Sequence, residues 1–201
     1  MLQQTQVSRI VTRYGEFLEE FPTLADVARA KPARVTEAWS GLGYYARARN
    51  LHLLASEVTD GGRNLEARLP ADPAALMQLP GIGAYTAGAV SSFAYERRAA
   101  LVDTNVARVL QRVFAPRAKL KTSAGSKTIW AIAERVLPRR GSTGWAHNQA
   151  LMELGALVCT ARVKRCGQCP VTTMCLSVER EKPRRSAQAV GRRVRTKLSK
   201  R

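Results

Sequence analysis

The sequence predicts an all-α protein on three observations. Apolar residues recur at three- and four-residue spacing along most of the chain, helix-start and helix-stop residues punctuate those runs, and no segment carries the two-residue alternation of a strand. With 201 residues and 45 % hydrophobic composition, the chain can bury a core as one large domain or two small ones.

Val7, Ile10, Val11, Tyr14, Leu18 and Phe21 set out a first amphipathic helix that ends near Pro22. Thr23 with Asp26 forms a capping box for a short second helix, which Lys31-Pro32 breaks, and a third runs to Trp39 and Ser40. Gly41 and Gly43 mark a turn. From Tyr44 the positions Ala48, Leu51, Ala55 and Val58 define a longer helix that Gly61-Gly62 terminates. Asp72-Pro73 reads as an N-cap with proline at the first helical position, for a helix reaching Gln78 or Leu79. A glycine-bearing hairpin, Leu79 to Gly83, follows. Helical periodicity then resumes over 84–94, 104–114, 126–136 and 145–158.

The formal net charge is +18, which draws a protein to polyanions: nucleic acid or an acidic membrane surface. There is no run of eighteen apolar residues to span a bilayer, and Met1 to Arg9 are too polar for a secretion signal, so a cytoplasmic protein is expected. Between Ser177 and Arg201 ten Lys and Arg face two Glu with few large apolar residues, the composition of a disordered basic tail. Such a tail adds salt-sensitive affinity for DNA through counterion release.

Three constellations carry chemistry. In Leu79-Pro80-Gly81-Ile82-Gly83-Ala84-Tyr85-Thr86, Gly81 and Gly83 free the backbone to approach a ligand, and the helix that follows exposes its first amides. Those amides suit a phosphate of the DNA backbone; an ordinary helix-helix turn is the other reading. Cys159, Cys166, Cys169 and Cys175 are spaced C-x6-C-x2-C-x5-C, with Pro170 after the third. Four thiolates so close together suit an iron-sulfur cluster, with structural zinc as the alternative. A disulfide framework is less suited to this clustering. Asp103 precedes a helix, where N-capping accounts for it. Its carboxylate can also stabilise positive charge developing on a sugar as a base departs, with Asn105 holding a phosphate or that carboxylate.

Hairpin, aspartate and cysteine motif, in this order, resemble the helix-hairpin-helix DNA glycosylases, which include endonuclease III and the MutY-type adenine DNA glycosylases. Met1-Leu2-Gln3-Gln4-Thr5-Gln6-Val7, the segment Gly41 to His52 and the segment Asn148 to Ala156 are similar to the adenine enzymes' motifs. The resemblance covers residues 1 to about 176. It implies a two-lobed fold with a mainly six-helix lobe over 1–114 carrying the helix-hairpin-helix at 79–90, a [4Fe-4S] lobe over 115–176, and the basic tail over 177–201.

For function, the resemblance implies removal of adenine mispaired with 8-oxoguanine or guanine, by flipping the base out of the duplex and hydrolysing its glycosidic bond. Asp103 would stabilise the oxocarbenium-like state, with Asn105 and Tyr85 in support. Leu2 and Gln149 would line the adenine pocket, and Gln4 and Tyr44 would wedge into the stack. Tyr85 replaces the lysine of endonuclease III-like enzymes, which implies a monofunctional glycosylase. The expected partner is double-stranded DNA with a mispaired adenine, bound by a nucleoid-associated monomer. The resemblance also places a general-acid glutamate two positions before Met1 and a Nudix-like domain after the cysteine motif. The expectation is therefore an N-terminally truncated chain lacking that domain, with an impaired DNA-binding remnant or an endonuclease III-like pyrimidine glycosylase as alternatives.

Overall fold

The computed structural model describes residues 1, 5 and 7–180. Among these described residues ten α-helices follow in order: α1 (Val7–Glu20), α2 (Leu24–Arg29), α3 (Pro32–Ala38), α4 (Ala46–Val58), α5 (Pro73–Leu76), α6 (Ala84–Ala89), α7 (Thr104–Phe114), α8 (Ser123–Val136), α9 (Gly141–Glu153) and α10 (Leu176–Arg180). Among the described residues the extended pairing is limited to an isolated bridge between Cys159 and Lys164. No described helix is long and apolar enough to cross a membrane.

Local signals act as the sequence implies at several boundaries. Thr23 and Asp26 close both halves of the capping box, and Asp72 accepts from the Ala75 amide at 2.9 Å to start α5 behind Pro73. Pro32 opens α3, so the chain breaks at Ala30 in extended conformation. After α4 the chain turns through Gly61 and Gly62, both at positive φ. A Cβ on Gly62 would lie 2.6 Å from Arg29 Cγ, so here the turn also needs the missing side chain.

One core cluster joins α1 to α4. Ile10, Phe17, Phe21, Val27, Val35, Trp39, Leu42, Ala48 and Ala55 are all buried in it, with Phe17 edge-on to Trp39 at 6.0 Å between ring centroids. A second cluster joins Ala100, Leu101, Val106, Leu110, Ile129, Ala133 and Leu137, packed by Tyr85, Ala89, Phe93, Leu151 and others. Val106 and Leu110 of α7 thus share a core with Ile129 and Ala133 of α8.

Four helices differ from the periodicity reading, and the first is α5, which ends at Leu76 rather than at Gln78 or Leu79. The segment 84–94 is α-helical only to Ala89 and widens into π-type turns over Val90–Ala94, and α9 widens likewise over Leu154–Val158. Ordinary α periodicity does not reveal a one-residue insertion in a helical turn. α8 starts three residues earlier than Ser126 because the Thr122 hydroxyl accepts from the Gly125 amide. α9 starts at Gly141 rather than Trp145: the place of a Cβ there is taken by the Glu96 carbonyl, so close packing selects glycine in a first helical turn. Residues 176–180 are helical where the basic tail was expected to begin; residues 181–201 lie outside the described residues.

Candidate active site

The hairpin between α5 and α6 assigns its two glycines different work. Gly81 has φ +75°, and a Cβ on it would meet Asn50 Cβ at 2.6 Å, so the turn is seated against α4. Gly83 has φ −93°, caps α6, and has open space where a Cβ would stand. Gly81 therefore shapes the turn, while Gly83 leaves the amides at the start of α6 approachable by an anion.

Across from α6, Asp103 caps α7. Its Oδ1 accepts from the Val106 amide at 2.7 Å and its Oδ2 from Asn105 Nδ2 at 3.0 Å. Capping and chemistry are thus compatible in one carboxylate, because each oxygen retains a lone pair. The hydroxyl pKa of Tyr85 is raised above its ordinary 10.0, first by burial and then by the Asp103 carboxylate nearby. At neutral pH Tyr85 is a protonated phenol beside a carboxylate, able to donate a hydrogen bond and unable to act as an amine nucleophile.

Sequence reasoning missed the support behind this pair. Arg108 Nη2 donates to Asn105 Oδ1 at 2.8 Å and to the Gly155 carbonyl at 2.6 Å, and its Nε donates to the Cys159 carbonyl at 2.9 Å. Asn105 thus has its amide orientation fixed at both ends: a guanidinium can only donate, so the oxygen must face Arg108 and the nitrogen must face Asp103. Gly155, in the π-type turn, lies so close that a Cβ would meet Asn105 Cβ at 2.8 Å. An arginine one turn after Asn105 and a lone glycine inside a helical run were the available signals.

Other expected residues lie elsewhere. Gln149 is on α9 and donates from Nε2 to Glu153 at 2.8 Å; its neighbour Asn148 is buried and donates to Ser92 Oγ and the Ala99 carbonyl, both at 2.9 Å, which fixes the register of α9. Tyr44 precedes α4, is 63 % exposed, and has φ +47°. Leu2 and Gln4 lie outside the described residues.

The four cysteines are free of disulfides and all line one cavity of about 450 Å³, its open mouth included, together with Arg112, Lys164, Arg165 and Thr172. Arg112 donates to Cys159 Sγ at 3.2 Å and to the Thr160 carbonyl at 2.8 Å. Among the described residues no three His, Cys, Asp or Glu side chains are grouped to hold one metal ion. The donor set, four thiols around one cavity with a cation beside a sulfur, fits a thiolate-bound cluster. His52 bonds the Ala30 carbonyl at 2.9 Å, and His147 lines a separate apolar cavity.

A family described as HhH-GPD superfamily base excision DNA repair protein matches residues 1–135. The human adenine DNA glycosylase is 42 % identical over 182 residues, 90 % of this chain and 32 % of the human protein. That of Mycolicibacterium smegmatis is 43 % identical over 176 residues, 86 % of this chain and 56 % of that protein. The chain therefore spans about a third to somewhat over half of the length of these relatives. A thermostable thymine-DNA glycosylase superposes with a TM-score of 0.77 at 27 % identity, covering 89 % of this chain and 80 % of that one. A trapped endonuclease III-DNA covalent intermediate superposes with a TM-score of 0.72 at 23 % identity over the same shares, a likeness of fold.

Proposed function

The chain belongs to the HhH-GPD superfamily of base excision DNA repair proteins, and on that premise we propose that it is a monofunctional glycosylase for adenine mispaired with 8-oxoguanine or guanine. The observation that carries this reading is the pair Asp103 and Asn105, oriented by Arg108 and facing a protonated Tyr85. It is the arrangement needed to meet positive charge on a sugar without forming a lasting bond to it.

In this reading a phosphate of the duplex rests at Gly83 and the first amides of α6, positioning the DNA without reading sequence. The adenine leaves the stack, Tyr44 and Gln4 occupy the gap, and Leu2 and Gln149 line the pocket that receives the base. As the bond between the sugar C1′ and adenine N9 breaks, its electron pair leaves with the adenine, and the Asp103 carboxylate stabilises the oxocarbenium-like sugar. A water oxygen then bonds to C1′, and the proton it loses passes through solvent to the departed adenine, which is thereby released as the neutral base. Tyr85 offers no amine for a Schiff base, so the DNA strand stays intact. The four cysteines would hold a [4Fe-4S] cluster, with zinc as the alternative. Held in that way, the loop 159–175 would be closed, and its Arg162, Lys164 and Arg165 would add positive charge toward DNA.

The test is single-turnover excision from an 8-oxoguanine:adenine duplex by this chain and by Asp103→Asn. Adenine release that depends on Asp103, with no strand nick, supports the reading. Nicking of oxidised-pyrimidine DNA would favour an endonuclease III-like activity, and duplex binding with no release would leave a DNA-binding protein.

A further inference from the structure

Arg47 stands in the first turn of α4 and reaches back to the loop that precedes it. Its Nη2 donates to the carbonyls of Leu42 at 3.3 Å and Gly43 at 3.4 Å and to Thr5 Oγ1 at 2.9 Å, and its Nη1 donates to the Met1 carbonyl at 2.9 Å. The same guanidinium lies 5.3 Å from the ring centroid of Trp39 and 5.7 Å from that of Tyr44. Trp39 is 4 % exposed and belongs to the first core, whereas Tyr44 is 63 % exposed. One planar cation therefore connects a buried ring, an exposed ring, the backbone between them and the N-terminal segment.

The loop needs such a connection. Gly41, Gly43 and Tyr44 have φ of +82°, +69° and +47°, and a tyrosine rarely adopts that region unless its surroundings impose it. An exposed tyrosine with a strained backbone relaxes once its contacts are removed, and its ring then points elsewhere. Arginine suits the task because its planar fork serves several carbonyls while its flat face stacks on aromatic rings; lysine's compact ammonium has neither the fork nor the flat face.

We propose that Arg47 is a positioning residue that presets Tyr44 for insertion into the DNA base stack. This rests on the glycosylase reading above, in which Tyr44 fills the space left by the flipped base. Insertion by a side chain already in place avoids ordering it at the moment of binding.

The experiment uses the full chain, Arg47→Lys and Arg47→Met, each also in a Tyr44→Ala background, with thermal midpoints measured in parallel. A fluorinated tyrosine at position 44 reports on the ring without DNA, and a duplex carrying 2-aminopurine opposite 8-oxoguanine reports unstacking by a rise in fluorescence. The expected result is one sharp fluorine line in the parent and a broadened or divided one in Arg47→Lys. The unstacking amplitude at a fixed protein concentration should fall roughly five- to tenfold, as when a competent conformer drops to a fraction of its population. With Tyr44→Ala, Arg47→Lys should add no further loss, whereas a merely structural role would add its full effect. An unchanged fluorine line in Arg47→Lys, or an undiminished effect in the Tyr44→Ala background, overturns the proposal. A parent chain that unstacks no base counts against the glycosylase reading, and the fluorine line then decides Arg47's hold on Tyr44 by itself. If Arg47→Met does not fold, Arg47→Lys carries the comparison.

Discussion

Asn105 Nδ2 donates to Asp103 Oδ2 at 3.0 Å while Asn105 Oδ1 accepts from Arg108 at 2.8 Å, so a neutral amide links the cap of α7 to a cation that also holds the Gly155 and Cys159 carbonyls. The carboxylate is thereby oriented from the side of the cysteine loop as well as by its own helix.

Substitution of Asp103 separates capping from chemistry. Asn is about as good an N-cap as Asp, so Asp103→Asn should change stability by roughly 0.5 kcal/mol or less, and Asp103→Ala should lose about 1 kcal/mol. Excision should fall on the order of 10²-fold or more in both, as when a group aimed at developing charge is removed. Thermal unfolding and single-turnover excision measured on the same two variants check this; equal losses of stability and rate in step would contradict it.

Gly155→Ala places a Cβ 2.8 Å from Asn105 Cβ and 2.9 Å from the Asn105 carbonyl oxygen. Backbone on one side cannot yield cheaply, so the variant should lose about 1–3 kcal/mol. It should also impair excision more than duplex binding, because the displaced residue is the one that orients Asp103. Equilibrium denaturation beside fluorescence-anisotropy titration and excision rates separates the two effects.

The hairpin glycines should respond differently. Gly81→Ala meets both a positive φ and Asn50, and should lower stability by about 1–3 kcal/mol along with DNA affinity. Gly83→Ala meets open space, so the fold should keep its thermal midpoint while affinity for duplex falls. A Gly83→Ala variant with unaltered binding over a range of salt would remove the phosphate from this site.

Iron and acid-labile sulfide in the purified chain, with brown colour, are the outcome expected of the cysteine set. Cys159→Ser should lower both, and weaken DNA binding, because it removes one of the four thiols that would hold the loop carrying Arg162, Lys164 and Arg165. Zinc without sulfide would establish the other metal, read by elemental analysis.

Because burial and Asp103 hold Tyr85 above its ordinary value of 10.0, the phenol is easier to ionise in the unfolded chain than in the folded one. The stabilisation linked to this group is complete below about pH 10 and is lost as pH rises from there through the folded value. Tyr85→Phe should therefore lose stability less steeply above pH 10 than the parent. Denaturant unfolding at pH 8 and at two more alkaline values tests the sign; a steeper loss in the variant would refute it.

Much was determined by sequence alone. Thr23 and Asp26, Asp72 and Pro73, and the glycines after α4 set helix ends through bonds that span a few residues, so their identity suffices. The clustering of four cysteines and the aspartate before α7 were visible for the same reason. What only the tertiary structure decided involves residues far apart in the chain: Gly141 under the Glu96 carbonyl, Gly81 against Asn50, Gly155 against Asn105, and Arg47 reaching from α4 to Met1 and Thr5. Each glycine alone reads as a weak helix former or a turn. Its actual necessity arises from backbone that another segment brings to within van der Waals contact, and no local pattern records that approach.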